Sequence, residues 1–415
     1  MFKQIFAREK YLSKIRPFYN SDVIKVITGI RRCGKSCILK AIINELIEGN
    51  VDESRIIYIP LDTRGFKSIS KPAQLEEAID KKLTGSAMFY IFIDEVQNVR
   101  NFESVVQAYA EEGHSVFLTG SNSYLLSSEI STKLTGRYIN FEIYTLDFKE
   151  YIEMKRFWKL SVNGNMVQEF QEYLINGGFP KSLEFPDENS RELYTRSIVE
   201  EVFQKDVKTR SKINNIALFE RIQSYIVNNY ASPFSLKNLV EKLAEEGIST
   251  KPETVRKYIY DIEMAKIVYE CNRFDLKSKR SIARDQKFYL ADLSIYFSMN
   301  TDNRLSFGPS LENLVYLYLV SSGFRISIGK IGNLECDFIA RGNQNTYVYI
   351  QVAYSLQGEN PAATDKIIER EFRPFAKIKD AYPRVIITLD QFCEQRDGVH
   401  HINAIELFLG NASLV

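Results

Sequence analysis

Histidine, tryptophan and cysteine are scarce in this chain of 415 residues, which holds three, one and five of them. Three histidines leave little for a histidine-rich metal centre or a Ser-His-Asp triad. The cysteines follow neither a disulfide framework nor a metal-binding spacing, although Cys33 and Cys37 stand close together. A reducing cytoplasm is the compartment this usage implies. No apolar run reaches the length of a membrane span, and Met1-Phe2-Lys3-Gln4-Ile5-Phe6 leads into no signal-peptide core, so no membrane partner is expected. Charge of one sign is also lacking: 54 basic against 53 acidic residues give a net charge of +1. Any contact with nucleic acid must therefore rest on a local patch. Repeats and low-complexity segments are absent. What remains, 45% hydrophobic and 26% charged, is ordinary for globular protein, and the length implies two to four domains.

Gly29-Ile30-Arg31-Arg32-Cys33-Gly34-Lys35-Ser36 fits the phosphate-binding pattern G-x-x-x-x-G-K-[ST] without a departure. Its surroundings have the required form. Val23 to Ile27 reads as a strand entering the loop, and Ser36 onward as a helix with Ile38, Leu39, Ile42, Ile43, Leu46 and Ile47 on one face. The glycines let successive backbone N–H groups turn inward on phosphate oxygens, and the helix N-terminus adds its positive dipole end. Residues 29–36, with Cys37 beside them, are thus the expected contacts to ATP. Lys35 would reach the β- and γ-phosphates and Ser36 would ligate Mg²⁺.

Tyr90-Ile91-Phe92-Ile93 reads as a strand buried in a parallel sheet and ending in Asp94-Glu95. Asp94 is expected to hold Mg²⁺, and Glu95 to orient and deprotonate the attacking water. A third strand, Ser115 to Leu118, runs into Thr119-Gly120-Ser121-Asn122. Asn122 or Ser121 would touch the γ-phosphate or the water; a polar turn is the alternative. Arg137 is the first candidate for an arginine finger, acting in cis or from a neighbouring subunit, so a homo-oligomer is expected as an option.

The order Ile27-Thr28-Gly29-Ile30-Arg31-Arg32, Gly34-Lys35-Ser36, Phe92-Ile93-Asp94-Glu95-Val96-Gln97, Leu118-Thr119-Gly120-Ser121-Asn122 and Leu134-Thr135-Gly136-Arg137 resembles the AAA-plus ATPases. More narrowly, it resembles the prokaryotic group with a C-terminal domain of unknown function and a nuclease-like end. The likeness extends to Arg8, Tyr11 and Leu12, to Leu146 to Tyr151, and to Gly177-Gly178-Phe179-Pro180. It implies a five-stranded parallel sheet between helices with a helical lid, Asn122 as sensor, and Arg8 beside the nucleotide. Gly178-Phe179-Pro180 is similar to the turn by which related ATPases contact adenine, which would put Pro180 on the base. A loop between lid helices is the competing reading.

From Ala217 to about Met264 three helices are expected: Phe219 to Val227, Ser235 to Ala244 with Ser235 as N-cap, and Lys251 to Tyr260 with Pro252 in its first turn. With strands at Ile267 to Arg273 and Gln286 to Leu290 they would form a winged helix-turn-helix. Its wing carries Arg273, Lys277, Lys279, Arg280, Arg284 and Lys287, a set suited to phosphate and hence to double-stranded DNA. Docking of a protein partner is the alternative.

After Asn303 the pattern is mixed α/β: a helix with Glu312, a hairpin carrying Asp337, a strand with Gln351, and a final strand Arg384 to Leu389. It resembles the PD-(D/E)XK nucleases. The Glu-x-Lys expected of active members reads Gln351-Val352-Ala353 here, which points to a degenerate nuclease fold. Glu312, Asp337 and Gln351 would then be a weak second metal site, with Lys330 as a candidate for the displaced lysine.

The fold class expected is α/β: an AAA-plus core at 1–155, a helical lid at 156–212, a winged helix-turn-helix at 213–300 and a nuclease-like domain at 301–415. The function expected is an ATP-hydrolysing switch or motor with a DNA- or protein-binding arm. An ATP-regulated metal-dependent nuclease and a nucleotide-dependent protein-recruitment switch are the alternatives.

Overall fold

The computed structural model describes residues 2, 5–120, 134, 136–208, 213–300, 307–342 and 346–414, with backbone alone at 282–284. The chain forms two compact units. The first comprises residues 1–145 with Val202–Arg210 and Met264–Lys266, and the second holds the remainder.

In the first unit the elements follow in the order α1 (Glu9–Ile15), β1 (Ile24–Thr28), α2 (Lys35–Glu48), β2 (Ile56–Pro60), α3 (Pro72–Asp80), β3 (Tyr90–Asp94), α4 (Glu103–Glu111), β4 (Ser115–Thr119) and β5 (Tyr138–Glu142). The sheet order is β2-β3-β4-β1-β5 and every pairing is parallel. Strands β1, β3 and β4 are buried along their whole length, as continuous apolar runs in a covered parallel sheet should be. Ile24, Val26, Ile91, Ile93, Val116 and Leu118 pack in one core with Val105, Val106 and Leu75 from the helices. All carboxyl ends of the strands lie along one edge, where open α/β sheets place ligands.

The second unit begins with α5 (Phe148–Phe157), α6 (Met166–Asn176) and α7 (Glu188–Val202). Three helices follow: α8 (Ile216–Asn228), α9 (Leu236–Glu245) and α10 (Pro252–Met264). They lead into the hairpin β6 (Val268–Asp275) and β7 (Arg280–Leu290). The Ser235 hydroxyl accepts the Asn238 N–H at 3.3 Å and so caps α9. Then come α11 (Ser294–Met299), α12 (Phe307–Ser321), β8 (Arg325–Ile331), β9 (Leu334–Arg341), β10 (Tyr347–Val352), α13 (Pro361–Phe372), β11 (Arg384–Thr388), β12 (Val399–Asn403) and α14 (Ala404–Leu409).

The hairpin β6–β7 is not a free wing. It is part of a seven-stranded sheet of order β12-β11-β10-β9-β8-β6-β7. The junction is a parallel pairing of Arg273, Phe274 and Asp275 with Ile328, Gly329 and Lys330. The segments expected as separate domains at 213–300 and 301–415 therefore share one sheet. Residues 146–155, expected at the end of the core, belong to the second unit, and the segment expected as a lid at 156–212 divides: 156–201 and 211–212 belong to the second unit and Val202–Arg210 to the first.

Gly177 and Gly178 owe their identity to packing within the second unit. A Cβ on Gly177 would stand 1.8 Å from Asp292 Oδ1, and one on Gly178 would stand 2.2 Å from the Leu146 carbonyl oxygen. Buried Asp292 accepts the Gly178 N–H at 2.8 Å, while the Gly178 carbonyl accepts the Leu146 N–H at 2.8 Å. The pair thus fastens the start of α5, the end of α6 and the exit of β7 at one point.

Candidate nucleotide-binding site

The loop between β1 and α2 owes its path to backbone states that side chains resist. Gly29 and Gly34 have φ of 145° and 105°, and Arg32 also lies in the left-handed region at 68°. A Cβ on Gly29 would meet the Ile143 carbonyl oxygen at 2.1 Å, so only glycine fits against the exit of β5. Lys35 opens α2 as a buried residue, and its ammonium donates to the carbonyls of Gly29 (2.9 Å) and Ile30 (3.2 Å). The charge is held at the mouth of the loop. Cys33 is buried beneath it, and burial raises its thiol pKa; Cys37 is exposed in the first turn of α2.

Asp94 at the end of β3 collects three hydroxyls. Ser36 Oγ donates to its Oδ1 at 3.0 Å, Tyr58 OH to its Oδ2 at 3.1 Å, and Thr119 Oγ1 donates to Oδ1 as well. Burial pushes the Asp94 carboxyl above the usual range and the neighbouring charge of Glu95 adds to this, while the hydroxyls of Thr119, Ser36 and Tyr58 pull it down. Such a set of hard oxygens around one buried carboxylate suits Mg²⁺. Glu95 follows in the left-handed region at φ 59°, its N–H donating to Thr119 Oγ1 at 3.0 Å and its carboxylate accepting from the Gln97 amide. Ser36, Asp94 and Glu95 thus meet through Thr119, with Lys35 beside Ser36 at the start of α2. Thr119 and Tyr58 are additions: one stands three residues before the expected Asn122, the other lies in the middle of β2, a strand that carries no motif. Asn122 and Ser121 lie outside the described residues.

Arg8 is 3% exposed and braces the loop from behind. Its guanidinium donates to the carbonyls of Cys33 (3.1 Å), Tyr144 (2.8 Å) and Thr145 (3.2 Å), and lies 4.6 Å from the Tyr11 ring centroid. Arg31 turns aside into a two-pronged pair with Asp206, at 2.8 and 3.0 Å, both side chains largely buried. That pair fixes Phe203–Lys208 to the phosphate loop. A second tie joins Lys266 to Glu142 at the end of β5 at 2.9 Å. Neither tie has a motif, because the partners lie more than a hundred positions apart.

Arg137 needs correction as a finger acting in cis. Its carbonyl accepts the N–H of Ile24, the first residue of β1, so it sits at the amino edge of the sheet. The phosphate loop leaves the opposite edge, roughly 15 Å away at about 3.3 Å per strand residue. The Arg137 side chain is half-exposed and pairs with Glu111 of α4. Pro180 opens a short 3₁₀ turn in the second unit, behind the fully buried Phe179.

The expected second metal site is also not assembled as one. Glu312 on α12 accepts from Lys287 Nζ (2.8 Å) and from the Tyr289 hydroxyl (2.7 Å). Lys287 also pairs with Glu335 at 2.8 Å. Burial alone would lower the Lys287 ammonium, but the carboxylates of Glu312, Asp337 and Glu335 outweigh it and hold it charged. Burial raises Glu312 and, further, Asp337. Asp337 accepts the Val352 N–H at 2.8 Å, and the Gln351 amide bridges the Asp337 N–H and Glu371. A lysine thus already neutralises the place expected for a cation, and it comes from β7 rather than from Lys330. Among the described residues no three His, Cys, Asp or Glu side chains are placed to hold a metal ion.

Burial also revises the basic wing. Arg273 donates to the Asp285 carbonyl (2.7 Å) and pairs with Glu335, and Lys287 is the internal cation just described. Lys277, Lys279 and Arg280 remain exposed at the hairpin tip. Among the described residues no helix is long and apolar enough to cross a membrane.

Residues 21–152 match the family described as an AAA domain, and residues 167–306 match a domain of unknown function, DUF8612. The chain is 28% identical over 414 residues to an uncharacterized protein of Haemophilus influenzae, covering 99% of this chain and 100% of that one. It is 30% identical over 403 residues to the uncharacterized protein MJ1544 of Methanocaldococcus jannaschii, covering 92% and 86%. Among solved structures, a Walker-type ATPase of Pyrococcus abyssi overlays with a TM-score of 0.49 at 17% identity, over 71% of this chain and 96% of that one. The ORC1 protein of Aeropyrum pernix, in complex with DNA, overlays with a TM-score of 0.32 at 11% identity, over 71% and 92%. The chain belongs to one family with the Methanocaldococcus protein and carries an AAA domain with a complete phosphate-binding loop.

Proposed function

We propose that the chain is an AAA-plus ATPase, a switch or motor that binds and hydrolyses ATP and drives a C-terminal arm. The observation that carries this reading is the convergence of Lys35, Ser36, Asp94 and Glu95 at the carboxyl edge of one parallel sheet. The loop backbone and Lys35 would cradle the phosphates, the ammonium moving from the Gly29 and Ile30 carbonyls onto phosphate oxygens. Ser36 and Asp94 are the residues that would hold Mg²⁺. When bound, that ion neutralises charge developing on the phosphate oxygens. Tyr58 and Thr119 keep the Asp94 carboxylate aimed at this place. Glu95, fixed through its own N–H to Thr119, takes the proton of the attacking water. Gln97 restrains the Glu95 carboxylate until substrate aligns it.

The arm is read as a winged helix joined to a degenerate nuclease-like fold that scaffolds rather than cuts. The internal pairing of Glu312 and Lys287 supports that over the nuclease alternative. A DNA contact would rest on Lys277, Lys279 and Arg280, and three phosphate contacts give a salt slope of only about −3.

The test is phosphate release from ATP with Mg²⁺, with and without duplex DNA. Turnover is expected in the wild type, and Glu95→Gln should reduce it at least about a hundredfold with ATP affinity retained. Unchanged turnover in the variant would remove Glu95 from its role.

A further inference from the structure

A groove in the second unit lies between α9, α10 and the hairpin, with a volume of about 920 Å³. That is room for several side chains. Phe234, Ile259 and Phe288 form its floor, each almost fully buried, and Tyr260 stands at its rim, 57% exposed. Its charge is the opposite of what phosphate needs. Glu241, Glu263, Glu270 and Asp285 line it against Lys237 and Arg256, and Lys237 is drawn to Glu241 at 3.6 Å. Glu270 is the most telling of these. It projects from β6 half-buried, burial raises its carboxyl, and among the described residues no side chain pairs with it. A carboxylate losing water without gaining a counter-charge is a site prepared for a cation from outside.

The edge of β7 restricts how that cation arrives. Ala231 and Phe234 donate their N–H groups to the carbonyls of Phe288 and Gln286, so this stretch of the edge is already covered. An incoming segment cannot extend the sheet there, and recognition falls to side chains.

We propose that this groove docks a protein segment in which lysine or arginine stands beside apolar side chains, the cation meeting Glu270 and the apolar groups the Phe234, Ile259 and Phe288 floor. Double-stranded DNA is disfavoured on this face, because its phosphates would meet an excess of carboxylates with little salt between. The inference is independent of the ATP site.

The test uses peptides selected on the full chain from a random phage-displayed library, then fluorescein-labelled and titrated by anisotropy. Selected peptides should combine Lys or Arg with aliphatic or aromatic residues. They should lose about tenfold in affinity to Glu270→Gln, as one charge-assisted contact predicts. Tyr260→Ser, at an exposed position that leaves the fold intact, should weaken them as well. The proposal is overturned if no peptide is selected, if the selected peptides lack basic residues, or if both variants bind them undiminished. It is equally overturned if duplex DNA displaces the peptides and binds more tightly once Glu270 is neutral.

Discussion

Replacing Lys287 with methionine should cost the second unit about 3 kcal/mol. The Lys287 side chain is 4% exposed and bridges Glu312, 12% exposed, and Glu335, 27% exposed. Breaking a buried pair from one side costs about 3–5 kcal/mol, because the other charge stays buried. Glu335 keeps Arg273 and some water, so its share is that of a surface pair, below about 1 kcal/mol. Glu312 keeps only the Tyr289 hydroxyl and carries most of the loss. The cost should depend on pH in a definite sense. With Lys287 gone, the Glu312 carboxyl, already raised by burial, rises further above its unfolded value. A carboxyl raised in this way contributes stability fully below the unfolded pKa and loses it as pH climbs through the folded one. The deficit should therefore be small near about pH 4 and complete at about pH 8. The assay is urea unfolding followed by Trp158, the one tryptophan of the chain, which lies in the second unit. Lys287→Met/Glu312→Gln should recover most of the loss, since glutamine still accepts the tyrosine hydroxyl without a charge. A single-variant loss below about 1 kcal/mol, or a double variant no better than the single, would refute the reasoning.

Other consequences follow from single contacts. Tyr58→Phe removes one of the hydroxyls on Asp94 and should weaken Mg²⁺-dependent ATP binding several-fold; an unchanged isotherm by calorimetry would make Tyr58 a packing residue only. Asp206→Asn weakens the two-pronged tie to Arg31, so trypsin should cut faster at Lys205 and Lys208; equal rates would show the tie contributes nothing there. Gly178→Ala should destabilise the second unit by several kcal/mol, because its Cβ would strike backbone that cannot yield; Trp158 fluorescence would register it. Lys25, buried on β1, has a pKa lowered by burial to about 7. Its folded form prefers neutrality, so the first unit should gain a few kcal/mol as pH rises from about 7 to about 10. Lys25→Met should flatten that rise in guanidinium unfolding followed by far-UV dichroism, and an unaltered rise would refute the assignment.

The parts legible in the sequence are those whose cause is local. The glycines of the phosphate loop, the acids ending β3, the Ser235 cap and Pro252 at the start of α10 each act on backbone within a few residues. The unreadable parts depend on partners far along the chain. Arg273 and Lys287 look like surface charges of a wing until Glu335 and Glu312, 62 and 25 positions on, draw them inside. Tyr58 carries no motif, since its role arises only when β2 pairs with β3 in register and sets it near Asp94. Arg137 followed a sequence order that says nothing about which edge of the sheet it meets. The parallel joint of β6 with β8 is of the same kind, a pairing across half the arm without a turn to announce it.

That joint determines how the arm can be divided in the laboratory. Cutting the chain near residue 300 would strip β8 from β6 and leave each fragment with a raw strand edge and, around Lys287, Glu312 and Glu335, unbalanced charge. The fragments should aggregate rather than fold apart. A soluble arm for crystallography or partner screening should instead begin at Leu146 and run to residue 414 as one expressed piece, so that Gly178 stays fastened to Asp292.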